Sequence, residues 1–110
     1  MQVFDVQGDA GTPENITPTS STGITAAIRH PTSGKYKGMT AKSALITCEA
    51  GDVHMTLDGT APTALAGTNV GHVLYVGDSY VIRGQENVKN ALFIDRVAAT
   101  PGIIKVTPFF

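Results

Sequence analysis

A chain of 110 residues with 42% hydrophobic and 15% charged side chains forms one domain with a modest core, which excludes whole-chain disorder. Its net charge of −1 excludes a general electrostatic attraction to nucleic acid or an anionic membrane. One cysteine excludes an internal disulfide and an all-cysteine zinc site, and no apolar run approaches the roughly 20 residues that span a bilayer. The opening residues Met1 to Asp5 lack the charged-then-apolar order of a secretory signal, so the expectation is a soluble, intracellularly made protein.

Residues 1–22 are rich in Gly, Pro, Thr, Ser and Asp, and their apolar residues Val3, Phe4, Val6 and Ile16 are scattered. Such a segment cannot bury enough surface to offset its own chain entropy, so the reading is an extended N-terminal arm (1–22) on a sandwich domain (23–110). The arm carries Asp5, Asp9 and Glu14, and no Lys or Arg precedes Arg29. It is expected to clamp onto a neighbouring subunit or shell, with Val3, Phe4 and Val6 as apolar anchors. The rival reading is an edge strand folded back on its own domain.

Gly23 to Ile28 reads as a first strand. Arg29 to Lys42 reads as a long loop with Pro31, Gly34 and Gly38, and it concentrates Arg29, His30, Lys35, Lys37 and Lys42. Tyr36 is its only aromatic, and nucleic-acid binders show a broad basic footprint with stacking aromatics, so no nucleic-acid partner is expected. The loop is either a solvated face or a protein contact, with Arg29, Lys35 and Lys37 set to meet the acidic arm of another copy.

Ala44, Ile46 and Cys48 alternate with Leu45, Thr47 and Glu49. After Gly51 and Asp52, Val53, Met55 and Leu57 alternate with His54, Thr56 and Asp58. Alternation on both sides of a Gly-Asp turn predicts a β-hairpin. A second tight turn at Asp58 and Gly59 follows, with Asp58 accepting amides beyond Gly59 and Pro62 fixing the exit. Further strands are predicted at Val73 to Val76, Ser79 to Arg83, Ala91 to Asp95 (extended by Val97, Ala98 and Ala99) and Ile103 to Thr107. Pro108, Phe109 and Phe110 read as an apolar tail open to partners. No segment has helical periodicity. Strands spaced roughly 8–12 residues apart predict an all-β fold, a small antiparallel β-sandwich or jelly roll. The expected core is Ile46, Cys48, Val53, Met55, Leu57, Val73, Tyr80, Ile82, Leu92, Ile94, Ile104 and Val106.

The stretch from Val53 to Thr63, followed by Gly71 to Leu74, Gly77 and Asp78, and Ile103 to Thr107 before Phe109 and Phe110, resembles small virion proteins of tailed bacteriophages, the decoration or cement proteins. The likeness spans roughly Ala41 to Phe110. It implies a homo-oligomer, commonly a trimer, that binds the major capsid protein on the virion surface after assembly in the host cytoplasm. Similar turns occur in immunoglobulin-like modules of sugar-degrading enzymes, so the motif itself specifies a sandwich turn. The alternatives are a carbohydrate-binding or adhesin-like module using Tyr75 and Tyr80, and another small virion component such as a head fibre or connector.

The chemistry of catalysis is not apparent. His54 between Asp52 and Asp58 is the nearest approach to a metal set, but it lacks zinc-type spacing and reads as a solvated strand face. Cys48 alternates inward with Ile46 and reads as a small core residue. Ser20, Ser21, Ser33, Ser43 and Ser79 occupy no nucleophile elbow, Asp78 and Asp95 form no sequence-adjacent pair, and no Gly-rich phosphate loop is present. The expectation is therefore a non-enzyme without cofactor, metal or membrane partner. Val3, Phe4, Asp5, Val6, Asp9, Glu14, Arg29, Lys35, Lys37, Phe109 and Phe110 are its candidate partner-binding residues.

Overall fold

The computed structural model describes residues 8–63, 71–97 and 100–110. The candidate arm residues Val3, Phe4, Asp5 and Val6, and Ala98 and Ala99 of the expected strand extension, lie outside them. Eight strands and two short helices follow in chain order: β1 (Glu14–Ile16), β2 (Thr22–Gly23), α1 (Ala26–Arg29), β3 (Ser43–Ala50), β4 (Val53–Thr56), β5 (His72–Leu74), β6 (Ser79–Arg83), α2 (Gln85–Asn90), β7 (Leu92–Asp95) and β8 (Ile103–Phe109). They form two four-stranded sheets, ordered β1-β8-β3-β6 and β2-β7-β4-β5, with every pairing antiparallel. The first strand pairs with the last, the second with the seventh, the third with the sixth and the fourth with the fifth. This nested pairing, wrapped over two sheets, is the jelly-roll topology.

The inner face of the first sheet presents Ile16, Ala44, Ile46, Cys48, Ile82, Ile104 and Val106, and the facing sheet presents Val53, Met55, Leu74 and Phe93. Their period-two spacing is what a strand needs to bury one face. Seven of the residues expected in the core are buried: Ile46, Cys48, Val53, Met55, Ile82, Ile104 and Val106. Tyr80 is 42% exposed on the edge strand β6, where no further strand covers it. In β7 it is Phe93 that is enclosed, while Leu92 and Ile94 are half-buried on the opposite face. Leu57 and Val73 are also half-buried.

The expected hairpin is a corner between sheets. β3 pairs with β6 and β8, whereas β4 pairs with β5 and β7. The register of β3 against β8 shifts between Cys48 and Ala50, and the end of β3 is gripped by the turn between β5 and β6, through Gly77 N–H to Cys48 O (2.7 Å) and Cys48 N–H to Asp78 O (2.9 Å). Gly51 makes the corner at φ +60, and a Cβ there would lie 2.6 Å from the Thr100 carbonyl oxygen. Only glycine fits both constraints.

Three other expectations change. Gly23 to Ile28 is not one strand: Gly23 ends β2 and Ala26 begins α1. No helix was expected, yet Gly84 leads into α2, whose Val88 is buried. The arm boundary at residue 22 also fails to describe residues 8–22. Ile16 is 5% exposed inside β1, Pro18 is fully enclosed, and Thr22 pairs with Phe93. These residues find on their own domain the apolar surface that they lack alone, so the edge-strand reading describes them.

Candidate functional site

The outer face of the second sheet carries the motif that dominates the sequence. Asp58 Oδ1 accepts the Thr60 N–H at 3.0 Å, and Gly59 sits at φ +87, as the turn chemistry requires. This bond holds the exposed Asp58 carboxyl below its ordinary pKa. The turn folds residues 60–63 back over β4. Thr56 Oγ1 donates to the Thr60 carbonyl, and His54 Nδ1 donates to the Thr63 carbonyl at 2.6 Å. His54 is consequently 1% exposed and Thr56 7% exposed, which corrects the reading of His54 as part of a solvated face. The motif is a structural cover.

The Asp52, His54 and Asp58 trio is dispersed by this folding. Asp52 accepts the Val76 N–H at 3.2 Å and pairs with Arg96 at 3.4 Å, while Asp58 closes its own turn. Among the described residues no group of three or more His, Cys, Asp or Glu is placed to hold a metal. Cys48 is enclosed, its Sγ donates to the Gly51 carbonyl at 2.9 Å, and its pKa is raised from 9.0 to about 11. Burial is the main cause, followed by the charges of Asp52 and Asp78. A thiol of this kind is a poor nucleophile.

Several candidate partner-binding residues converge elsewhere. A cleft of about 430 Å³ opens between residues 10–13, α1, the loop 31–36 and Phe110. Its aromatic wall is the stacked pair Tyr36 and Phe110, with ring centroids 4.7 Å apart and planes 10° apart. Lys35 lies over the outer part of this wall, its Nζ 5.4 Å from the Tyr36 centroid. The loop is closed by Gly38 N–H to Pro31 O (2.9 Å) and tied to α1 by Ala41 N–H to Arg29 O (2.8 Å). Behind the Phe110 side of the cleft, Asp9 and Phe110 exchange both backbone bonds, at 3.2 and 3.0 Å, and Gly11 N–H donates to Pro108 O at 2.8 Å.

The candidates divide accordingly. Lys35 and Phe110 line the cleft, and Lys37 is exposed on the same loop. Asp9 supports the wall through its backbone. Glu14 is engaged at home, its Oε1 accepting the Thr25 N–H at 2.8 Å ahead of α1, and Arg29 Nε donates to Ile24 O at 3.4 Å. Neither pairs with an opposite charge among the described residues. Phe110 is 5% exposed, and Phe109 is half-buried in β8, so the C-terminus is part of the sandwich and not an open apolar tail. The sequence reading missed Tyr36 as the partner of Phe110. An aromatic isolated in a basic loop was the available signal.

A second surface gathers at the corner end. Tyr75 (52%), Val76 (54%), Tyr80 (42%) and Val97 (54%) are the large exposed apolar side chains other than Met39 among the described residues, and Arg96 lies 5.8 Å from the Tyr75 ring centroid. No helix among the described residues is long and apolar enough to cross a membrane. No family model matches the chain, and no curated protein is significantly similar to it.

Proposed function

We propose that this chain is a non-catalytic structural virion protein that binds and stabilises the capsid lattice of a tailed bacteriophage, as a decoration or cement protein. The observation that carries the reading is the cleft with its aromatic wall and exposed lysines. It has the parts to hold a segment of a partner: the partly exposed Tyr36 ring for apolar contact, backed by buried Phe110, and cations for direction. The resemblance around Val53 to Thr63 points the same way. Jelly rolls recur in capsid proteins, a parallel of fold alone.

In this reading an acidic segment of the major capsid protein lies in the cleft. Exposed ion pairs from Lys35 and Lys37 contribute about 0–1 kcal/mol each, so the apolar share of the affinity falls to the partly exposed Tyr36 ring, held in place by the buried Phe110 ring behind it. Self-association, as a homotrimer, would use the exposed end around Tyr75, Val76, Tyr80 and Val97. The working location is the capsid surface.

Co-sedimentation of the purified chain with undecorated phage capsids tests the proposal. Charge reversal at both Lys35 and Lys37 should weaken binding by about tenfold or more at low ionic strength, with unchanged melting. Equal binding by the double variant and by Tyr36→Ala removes the cleft from the account, and absence of capsid binding removes the function. The exposed Tyr75 and Tyr80 favour a second reading, a carbohydrate-binding module. A positive glycan array without capsid binding selects it.

A further inference from the structure

A separate opening of about 310 Å³ is lined by Gly8, Lys42, Ser43 and Arg83. Ser43 begins β3 and is the cross-strand partner of Arg83 in β6, so their side chains share one face of the sheet. Ser43 is 8% exposed, and its hydroxyl has no hydrogen-bond partner, alone in this among the buried side-chain polar atoms of the described residues. The two cations stand on fixed backbone. Lys42 N–H donates to Phe109 O and Lys42 O accepts Gly84 N–H, both at 2.8 Å, while Arg83 O accepts Asn87 Nδ2 at 2.8 Å. Gly8 passes so close to the last residue that a Cβ would lie 2.5 Å from the Phe110 carbonyl oxygen, making that wall backbone.

An unsatisfied buried hydroxyl and two exposed cations therefore meet in one place. A buried hydroxyl without an acceptor has lost its water and gained nothing for it. Two cations share an opening, and the ion pairs among the described residues, Arg96 with Asp52 and Lys105 with Glu49, involve neither of them. A water molecule can satisfy the hydroxyl but draws little from the two cations, which are exposed and in no ion pair among the described residues. A group with several lone pairs and negative charge answers both, because it accepts from the hydroxyl and from the guanidinium fork at once.

We propose that the opening between Gly8, Lys42, Ser43 and Arg83 binds one oxyanion, a carboxylate or phosphate group. The site is independent of the cleft and of the capsid reading.

Melting of the full chain is followed in chloride at fixed ionic strength while inorganic phosphate or acetate replaces chloride, with amide NMR shifts at Ser43 and Gly84 recorded alongside. At least one of the two anions should give a saturable upward shift in melting temperature. Response to phosphate alone identifies a phosphate group as the ligand, response to acetate alone a carboxylate, and response to both the shared chemistry. Arg83→Gln should weaken the binding by about tenfold or more, since a charge-assisted bond is lost. Ser43→Ala should weaken it as well, yet melt no lower than wild type in chloride, because the hydroxyl it removes has no partner to lose. The proposal is overturned by the absence of a saturable response, by an undiminished response in both variants, or by a Ser43→Ala variant that melts lower without anion.

Discussion

The enclosed Cys48 thiol gives the domain an alkaline dependence of stability. In the folded chain it ionises at about 11, against 9.0 for the unperturbed thiol. Its contribution is complete below the unfolded pKa, falls as the pH rises between the two values, and is fully lost above the folded one. Denaturant midpoints from pH 8 to 11 should fall more steeply for wild type than for Cys48→Ala, which lacks the group. Parallel curves would show that the thiol does not titrate differently in the two states. Phe93 and Leu92 support a second prediction. Phe93→Ala should cost about 3–5 kcal/mol in denaturant titration, and Leu92→Ala clearly less. The reverse order would mean that β7 faces the other way. Leu92, Phe93 and Ile94 are all apolar, so alternation could not orient this strand from sequence, and Asp95 made the inward reading of Ile94 natural. Yet Asp95 is 4% exposed, because its Oδ1 accepts the Gly102 N–H at 2.7 Å. A satisfied buried carboxylate leaves no trace in a hydrophobic pattern.

Strands β3, β4 and β8 are legible as strands because apolar residues recur at every second position, and β6 because of its run of aromatic and β-branched residues between turns. Their partners are not. Alternation around Gly51 is the same whether the chain doubles back within a sheet or steps to the facing one, and bonds from residues 77 and 78 decide the matter. Helix α2 was hidden because six residues with Val88 as their one apolar side chain show no period. The N-terminal segment was misjudged for a related reason: β1 and β2 span three and two residues, too short to announce themselves. Their place in the sheets gives a third prediction. Deleting residues 1–22 removes β1, Ile16, Pro18 and half of β2, and should lower the melting temperature by roughly 10 °C or more or abolish folding. Melting unchanged by this deletion would restore the free-arm description for residues 8–22.

Across the whole molecule, the nested pairing explains why the candidate site was only partly readable. Lys35, Lys37 and Phe110 were picked out one by one, from charge and from position at the end of the chain. That residues 10–13, 31–36 and 110 form one cleft follows from β1 lying beside β8, a contact between the two ends of the sequence that local patterns do not encode. Ala10 faces Phe109, and Asp9 and Phe110 exchange two backbone bonds beyond the paired strands. That side-by-side arrangement has a mechanical consequence. A tension drawing residue 8 away from residue 110 acts across the β1 and β8 ladder and loads its bonds one after another, starting at Asp9 and running toward Ile16. The sandwich yields to such a pull like a zip opened from its end, while the interior pairs of β3 with β6 and β8 stay unloaded until the outer seam has gone.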